Sequence, residues 1–336
     1  MVILAADLGG THSRFALYCE RAGALEEKAF LDLPSEAHDF AGLLRSAQRQ
    51  LSGGTELSGE VDAVSLAAAG AVSGGMIRMT NARYVVDAGV ASSLFPGARV
   101  LLMNDFEAQA RGCLSGNGNF LEPLYGDACA VLRDARSGKE KRPVAVLGAG
   151  TGLGAAWLIR DARAGMGVLP SEAGHVPFPF HGREELAFAA FLEERCGTSS
   201  ATAEQVLSGR GLALLHEYLS GRGGPPSAFT ACGGFADSDC CRLFARFYGR
   251  FCRMAAYFLL PCAVVLTGGV AGGSPCLVRH PEFLREFLRQ GNAAPRILEG
   301  IPLALNTNSR SGLLGAACAV LEQEDPGTLP GAFPKD

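Results

Sequence analysis

The sequence predicts an α/β protein with two domains, and three observations carry this prediction. Short apolar runs typical of buried strands alternate along the chain with the apolar spacing of amphipathic helices. Three of the predicted strands run directly into glycine-rich turns, at residues 7–11, 148–152 and 267–270. The chain has 336 residues, which is enough for two domains of ordinary size.

The composition fits this class and excludes others. Hydrophobic residues make up 48% of the chain and charged residues 19%, values typical of a globular protein and not of a disordered one. The net charge of −4 argues against a nucleic-acid binder, which carries a basic face. No apolar run approaches the roughly 20 residues of a membrane span. Asp7 interrupts the first apolar run, so we expect no signal peptide.

The eleven cysteines form no CxxC pair. An odd number of cysteines without an export signal indicates reduced thiols in a cytoplasmic protein. Adjacent Cys240 and Cys241, near Cys232, are poorly placed to chelate one ion, so we expect no metal site there. We expect the cysteines to act as small core residues.

The first strand, Val2–Ala6, leads into DLGGTHSR, and Phe15–Tyr18 has the pattern of a return strand. Glycines allow the turn to lie close to a phosphate group. Asp7 is placed to hold a hydrated Mg²⁺, and Thr11 and Arg14 can donate to phosphate oxygens. The alternative is a hairpin with a capped turn, but Asp, Gly-Gly, Thr and Arg within eight residues favour phosphate binding.

A helix over Asp39–Leu51, a strand over Val61–Ala69 and a short strand over Met76–Met79 follow. The next strand, Val100–Met103, stops at Asn104 and Asp105, before a helical pattern. Ligands of α/β sheets bind at the carboxyl ends of strands, so Asp105 can be a general base that takes the proton of an attacking alcohol. Alternatively, Asn104 or Asp105 caps the helix. Both can hold, with Asn104 as a cap or a sugar contact.

Arg133–Arg142 is polar and charged, which predicts a solvated loop. The strand Val144–Leu147 then leads into glycines at alternate positions, Gly148, Gly150 and Gly152, with Thr151 among them. Successive N–H groups in such a turn form a concavity for anions. A glycine-rich hairpin that only turns the chain is the alternative, and the similar turn at the start of the chain makes it the weaker one.

The segment LPSEAGHVPF places Glu172 and His175 three residues apart, beside prolines that forbid a long helix. A carboxylate and an imidazole so close can bind vicinal hydroxyls, or they can stabilise the loop as a pair. Zinc ligation lacks further ligands nearby. Residues Ala203–Leu207 lie at the start of a short helix, with Gly209 as its stop. Glu204 in this segment, taken alone, is typical of a surface charge.

The remaining patterns predict mostly core elements. The stripe of apolar and aromatic residues over Leu243–Leu260 is typical of a buried helix face. The strand Ala263–Leu266 ends in TGGV, which we assign to adenosine. The other predicted elements are helices over Leu186–Arg195, Pro281–Leu288 and Gly312–Leu321, a strand over Ile301–Leu305, and a fraying tail over Glu322–Asp336. The small-residue helix 312–321 is able to pack closely on a neighbour.

Six motifs together resemble the bacterial glucokinase family, within the superfamily of actin-like proteins, sugar kinases and Hsp70 ATPases. DLGGTHSR resembles the first phosphate loop, NDFEA the segment of the catalytic aspartate, and GAGTGLG the second phosphate loop. SEAGH resembles the sugar-binding loop, AEQVLSG the segment of a second sugar-binding glutamate, and LTGGV the adenosine motif. The likeness covers nearly the whole chain, in order and at the expected spacing.

The resemblance implies ATP-dependent phosphorylation of glucose at its 6-hydroxyl, with Asp105 as the catalytic base and Mg²⁺ on the phosphates, held by Asp7 through water. The residues that match sugar contacts are Asn104, Asp105, Glu172, His175 and Glu204. The residues that match nucleotide contacts are Gly9, Gly10, Thr11, Gly150, Thr151, Gly268 and Gly269, and the turns themselves add Asp7, Arg14, Gly148 and Gly152.

The implied fold is two actin-like (ribonuclease H-like) α/β domains with an interdomain cleft that closes over the sugar. The small domain is expected at 1–112 plus 311–322, the large domain at 113–310, and a flexible tail at 323–336. The resemblance further implies a cytoplasmic homodimer that binds glucose and ATP, with no nucleic-acid or membrane partner.

The chain departs from the family pattern in places that bear on the sugar. Ser171 and Ala173 replace usual glycines of the sugar loop, Ala82 follows Thr80-Asn81 in place of the usual residue, and a short insertion precedes Glu204. A kinase for mannose, fructose or N-acetylglucosamine is therefore an alternative. The zinc motif of the related ROK kinases is missing. A sugar-sensing regulator, which needs an N-terminal helix-turn-helix, and an assembly ATPase, which has no use for a sugar loop, are the rivals of other classes.

Overall fold

The computed structural model describes residues 1–21, 24–52, 61–79, 84–115, 120–161, 165–289 and 296–322. The strands are β1 (Val2–Leu8), β2 (His12–Arg21), β3 (Ala24–Pro34), β4 (Ala63–Ala68), β5 (Val72–Ser73), β6 (Met76–Arg78), β7 (Val85–Asp87), β8 (Arg99–Asn104), β9 (Leu121–Tyr125), β10 (Val144–Ala149), β11 (Leu153–Asp161), β12 (Gly165–Ser171), β13 (Ala263–Thr267) and β14 (Leu303–Asn306).

Helices of very different lengths connect these strands. They are α1 (Phe40–Ser52), α2 (Ala88–Leu94), α3 (Asp105–Leu114), α4 (Ala128–Ser137), α5 (Gly182–Cys196), α6 (Ala203–Val206), α7 (Gly209–Ser220), α8 (Ser227–Thr230), α9 (Asp239–Leu259), α10 (Gly269–Gly273), α11 (Cys276–Arg279), α12 (Pro281–Phe287) and α13 (Ser311–Glu322). Short 3₁₀ turns lie at Ser35–Ala37, Ala173–His175, Phe235–Asp237 and Leu298–Gly300. Among the described residues, no helix has the length and apolarity needed to cross a bilayer.

The chain divides into two compact units. The described part of the first lies within Met1–Asn117, Asp161–Val168 and Arg310–Asp336, and that of the second within Gly118–Arg160 and Leu169–Ser309. The last helix, α13, therefore returns to the unit in which the chain begins.

The sheet of the first unit has the order β3-β2-β1-β4-β8. The first three strands form an antiparallel meander, and β4 and β8 run parallel to β1. The central strand is apolar almost throughout and is buried on both faces, as a strand covered by helices on each side must be. One face packs with α1 and the other with α13, so the polar residues that follow the strand ends are left at the sheet's edge.

The six-stranded sheet repeats this order as β12-β11-β10-β13-β14, with β9 added antiparallel beside β14. Its strand β10 pairs antiparallel with β11 and parallel with β13. Each of these two larger sheets thus places antiparallel strands beside two parallel ones, the ribonuclease H-like order that the family resemblance implied. The predicted α/β fold class is confirmed.

Helix α9 forms much of the core of the second unit, as its apolar stripe predicted. Phe244, Phe247 and Phe251 on this helix are fully buried. The prediction is wrong for the last turn, because Phe258 is 62% exposed and Leu260 is 44% exposed.

The prediction of a solvated loop over Arg133–Arg142 is also wrong in its first half, which forms the end of α4. Leu132 and Ala135 are buried on one face of that helix, and Gly138 in the left-handed conformation ends it. Charged residues on the other face hid the pattern. Gly209 does not stop a helix but begins α7, because the Ser208 side chain caps that helix by accepting the N–H of Gly211.

Other predicted elements are found with ends shifted by a few residues. The sequence-based prediction missed the edge strands β3, β9 and β12 and the helices α2 and α7. The predicted tail over 323–336 and the segment Thr80-Asn81-Ala82 lie outside the described residues. Of the cysteines, Cys19, Cys113, Cys240, Cys241, Cys252 and Cys262 are buried, as expected of core residues, whereas Cys232 is exposed.

Candidate active site

The first glycine turn joins β1 to β2 in a tight hairpin of the first unit. The N–H of Gly9 donates to the carbonyl of His12 at 2.9 Å, and a Cβ on Gly9 would lie 2.7 Å from the same oxygen. The turn therefore requires glycine at this position. Ser35 fixes the turn from outside, because its hydroxyl donates to the Gly9 carbonyl at 2.7 Å and its N–H donates to the Thr11 carbonyl at 2.9 Å.

Arg14, a predicted phosphate contact, is held by a carboxylate on β3. Its Nε lies 3.3 Å from Asp32 Oδ2, while Asp32 Oδ1 lies 2.9 Å from His12 Nδ1. Asp32 therefore orients two nitrogen-bearing side chains beside the turn. No pattern in the sequence indicated Asp32, because β3 itself was not predicted.

Asp7 and Asp105 influence one another at the carboxyl edge of the first sheet. The pKa of Asp7 is raised to about 6, first by burial and next by the negative charge of Asp105, although Arg14 acts in the opposite direction. Because β1, β4 and β8 are parallel and in register, the ends of these strands meet at one edge. Asp105 is the first residue of α3, and its Oδ1 accepts the N–H of Phe106 at 2.8 Å.

Asn104 is the residue that caps α3. Its Oδ1 accepts the N–H groups of Phe106 at 2.9 Å and Glu107 at 3.2 Å, while its Nδ2 donates to the Gly70 carbonyl at 3.3 Å. The capping role weighed in the sequence is confirmed for Asn104. It leaves Asp105 at the N-terminus of a helix, where a negative charge is stabilised.

The predicted sugar loop forms the end of β12 and a 3₁₀ turn in the second unit. His175 Nε2 lies 3.5 Å from Glu172 Oε2, and both side chains are exposed, at 64% and 86% respectively. The hydroxyl of Ser171, one of the departures from the family pattern, accepts the N–H of Ala173 at 3.1 Å. This bond braces the turn from within the loop.

The second glycine turn links β10 to β11. Gly148 lies within β10, Thr151 is exposed at the tip, and the N–H of Gly150 donates to the Gly152 carbonyl at 2.8 Å. The N–H of Gly209, at the start of α7, donates to the Gly150 carbonyl at 2.8 Å. The turn is therefore braced by the segment that follows α6.

Glu204 contacts this turn directly, which the sequence did not indicate. Its Oε2 accepts the N–H of Leu153 at 3.0 Å and would lie 2.5 Å from a Cβ on Gly152. The sugar loop approaches the same peptide, because a Cβ on Gly174 would lie 2.3 Å from the Leu153 carbonyl. The structure thus brings Glu204, the sugar loop and the second glycine turn together.

The third glycine turn follows β13, the parallel neighbour of β10. Gly268 has φ of +90°, and a Cβ there would lie 2.4 Å from the Ala149 carbonyl, so only glycine fits. Gly269 begins α10. Asn306 at the end of β14 is buried, and its Nδ2 donates to the Thr267 hydroxyl at 3.2 Å, which fixes the entry to the turn. The position of Asn306 at the end of a strand was the signal by which the sequence could have indicated this residue.

A family model described as Glucokinase matches residues 4–323.

The chain belongs to the glucokinase family.

Curated glucokinases are similar over most of their length. That of Pseudomonas paraeruginosa is 29% identical over 334 residues, covering 96% of this chain and 93% of the relative. That of Hahella chejuensis is 30% identical over 333 residues, covering 96% of this chain and 97% of the relative. The prediction of a glucokinase-family sugar kinase is therefore confirmed.

Solved structures share the fold at lower identity. Glucokinase from an Antarctic psychrotroph superimposes with a TM-score of 0.75 at 22% identity, covering 95% of this chain and 98% of that one. Glucokinase from Balamuthia mandrillaris, solved with glucose, gives 0.76 at 22% identity, covering 94% and 92%. A ROK-family glucokinase from Streptomyces griseus, solved with glucose and AMPPNP, gives 0.56 at 20% identity, covering 95% and 99%.

Proposed function

We propose that this chain transfers the γ-phosphoryl group of ATP to the 6-hydroxyl of D-glucose, with Asp105 as the general base. One observation carries the proposal. Asp7 and Asp105 lie at the same carboxyl edge of a sheet, close enough for the charge of Asp105 to raise the pKa of Asp7, in a chain of the glucokinase family. This edge is where α/β proteins bind ligands.

Asp105 has the chemistry that the attacking alcohol needs. A hydroxyl must lose its proton as it attacks phosphorus, and a positioned carboxylate can accept that proton. The N–H of Phe106 holds one carboxylate oxygen of Asp105 and orients the group.

The residues present fit a magnesium ion. Mg²⁺ favours one or two carboxylates together with water and phosphate oxygens. Burial and the charge of Asp105 disfavour the ionised form of Asp7, and a nearby cation would offset both effects. Asp7 would hold the ion, through water, with Asp105 adding its charge. Bound there, Mg²⁺ would neutralise charge on the phosphate oxygens.

Glu172, His175 and Glu204 supply the acceptors and donors that a hexose needs. A carboxylate accepts two vicinal hydroxyls, and an imidazole can donate or accept, so the exposed pair at Glu172 and His175 suits a sugar ring. Asn104 is the further predicted sugar contact. The glucokinases from Balamuthia mandrillaris and Streptomyces griseus were each solved with glucose, which supports glucose as the substrate.

The glycine turns would hold the nucleotide. Their unhindered backbone allows N–H groups to approach phosphate oxygens. The residues assigned to this task are Gly9, Gly10, Thr11, Arg14, Gly148, Gly150, Thr151 and Gly152, with Gly268 and Gly269 assigned to adenosine. The AMPPNP bound by the Streptomyces griseus enzyme supports ATP as the donor.

The remaining parts of the proposal rest on the family resemblance. They are domains at 1–112 plus 311–322 and at 113–310, closure of a cleft over the sugar, a homodimer and a cytoplasmic location. The mass of the protein in solution, measured by light scattering, tests the homodimer.

The proposal is tested by ADP release in the presence and absence of hexoses. We expect release to depend on hexose, with the highest kcat/KM for glucose among glucose, mannose, fructose and N-acetylglucosamine. If another sugar has a higher kcat/KM than glucose, that sugar is the substrate in place of glucose. ADP release that is independent of every sugar favours an assembly ATPase, and sugar binding without release favours a regulator.

A further inference from the structure

A buried arginine lies at the centre of a charge cluster in the second unit. Arg250 on α9 is 0% exposed, and its guanidinium makes two parallel bonds to Glu185 on α5, at 2.5 and 2.9 Å. Its Nε donates to Glu286 on α12 at 3.1 Å. Both carboxylates are buried as well, at 2% and 4% exposure.

Stability alone is a weak reason for such a cluster. Taking charges out of water costs several kcal/mol for each ion, and well-packed apolar side chains in the place of a buried ion pair are often as stable or more so. Burial alone raises the pKa of Glu185, but the bonds from Arg250 and from the N–H of His181 outweigh it and lower that pKa. Glu185 and Arg250, whose own pKa is raised despite burial by its bonds to the carboxylates, therefore stay ionised at neutral pH.

What Arg250 touches besides the carboxylates is the segment that follows the sugar loop. Its Nη1 donates to the carbonyl of Pro179 at 2.8 Å, and its guanidinium carbon lies 5.8 Å from the centre of the Phe178 ring. Glu185 contacts the same segment, because its Oε2 accepts the N–H of His181 at 2.7 Å. The chain is thus fixed within a few residues of His175.

The fixed segment also leads to Glu204. The N–H of Phe178 donates to the Ala201 carbonyl, and the N–H of Ala203 donates to the Val176 carbonyl, both at 2.9 Å. Residues 176–178 therefore lie alongside residues 201–203, which enter α6. The segment that Arg250 contacts therefore both follows the sugar loop and pairs with the residues that enter the helix bearing Glu204.

We propose that Arg250, oriented by Glu185, is a positioning residue for sugar binding, which holds the Glu172–His175 loop and the start of α6 in register through Phe178 and Pro179. This inference rests on the proposed function. An arginine suits the task because its planar group can bind a carboxylate with two nitrogens and still donate to a carbonyl, whereas a lysine ammonium is a point charge on a flexible stem.

The test compares the KM for glucose with the KM for ATP in three variants. Arg250→Met combined with Glu185→Gln and Glu286→Gln removes the guanidinium without leaving buried carboxylates unpaired. Arg250→Lys keeps the charge and loses the two-pronged geometry. Arg253→Gln is the matched control, because Arg253 lies on the same helix and pairs with Glu286 at 3.0 Å but is not bonded to residues 176–181.

We expect the triple variant to raise the KM for glucose at least tenfold and Arg250→Lys to raise it about threefold or more, with the KM for ATP within twofold in both. Arg253→Gln should leave both constants within twofold. Should the triple variant not fold, Arg250→Lys decides alone.

If the role of Arg250 is purely structural, the folded variants lose thermal stability while the KM for glucose and the KM for ATP stay unchanged. That result overturns the inference and leaves the proposed function standing. Equal changes in the two constants overturn it as well. A wild-type protein without glucose-dependent turnover overturns the proposed function and this inference together.

Discussion

At the scale of single residues, the site depends on close contacts between glycines and acidic side chains. The contact of Glu204 with the second glycine turn is the clearest, because its carboxylate occupies the space of a Cβ on Gly152. A carboxylate has two oxygens, so one can hold the turn while the other receives a sugar hydroxyl. The sequence predicted both residues, but not their contact, because 51 residues separate Leu153 from Glu204.

Gly152→Ala should therefore weaken glucose binding more than it weakens the fold. The new methyl group must displace the Glu204 carboxylate, which is the end of a flexible side chain and moves at small energetic cost. We expect the KM for glucose to rise about tenfold and the free energy of unfolding to change by less than about 1 kcal/mol. Steady-state kinetics and urea unfolding measure the two. A loss of stability with an unchanged KM for glucose contradicts this contact.

Asp7→Asn should stabilise the protein at neutral pH. The pKa of Asp7 is raised from 3.8 to about 6 in the fold, so the folded state favours the protonated carboxyl, and wild-type stability falls as the pH rises from about 4 to about 6. Asparagine does not ionise, so the Asp7→Asn protein does not lose this stability as the pH rises.

Urea unfolding at pH 4 and pH 7 tests the sign. The gain from Asp7→Asn should be small at pH 4 and about 1–2 kcal/mol at pH 7, since one pKa unit corresponds to about 1.4 kcal/mol and solvent still reaches part of this half-buried residue and weakens the effect. A gain that is larger at pH 4 contradicts the raised pKa. The same variant should lose most of its turnover, because Asp7 is the proposed magnesium residue.

At the scale of elements, the sequence predicted what local patterns determine. Strands that end in glycine turns, such as β10 and β13, and helices with a strong apolar stripe, such as α9, were found where the patterns placed them. Edge strands such as β3 were missed because only part of their surface is buried and their pattern is weak. The contacts of Asp32 and of Arg250 depend on tertiary packing, so no spacing in the sequence predicts them.

The small residues of the last helix predicted that it is able to pack closely on a neighbour, and in the structure that neighbour is α3, which the sequence did not indicate. A Cβ on Gly315 would lie 1.8 Å from the Ala108 carbonyl, and one on Gly112 would lie 1.8 Å from the Ser311 carbonyl. The two helices therefore approach through their glycines, and backbone atoms take the place of side chains. Since α3 begins with Asp105, this packing also fixes the helix that bears the proposed base.

Gly315→Ala should lower the free energy of unfolding by about 1–3 kcal/mol, because backbone and not a flexible side chain must move. Gly272→Ala in α10 is the control, since nothing lies within 4 Å of its new methyl group. There we expect no loss, because alanine favours helix over glycine. Urea unfolding measures both. Equal effects of the two substitutions contradict the close helix packing.

At the scale of the whole molecule, the two units repeat one sheet order and use it differently. In each sheet, the first hairpin of the meander carries a glycine turn, between β1 and β2 in one unit and between β10 and β11 in the other. The first unit adds Asp7 and Asp105, and the second adds the acidic and imidazole groups of the sugar loop and α6. Sequence motifs found Asp7, Asp105 and the sugar loop beside strand ends, whereas Glu204 lies on α6, between two helices.

The central claim is that Asp105 accepts the proton of the sugar hydroxyl, and the most direct measurement is kcat for Asp105→Ala with glucose and ATP. The control is Glu107→Gln, on the same helix, whose carboxylate pairs with Arg111 at 3.1 Å. We predict a fall in kcat of about 10²–10⁴-fold for Asp105→Ala, as for the loss of a positioned base, and little change for the control. Turnover near that of the wild type in a folded Asp105→Ala protein would contradict the account.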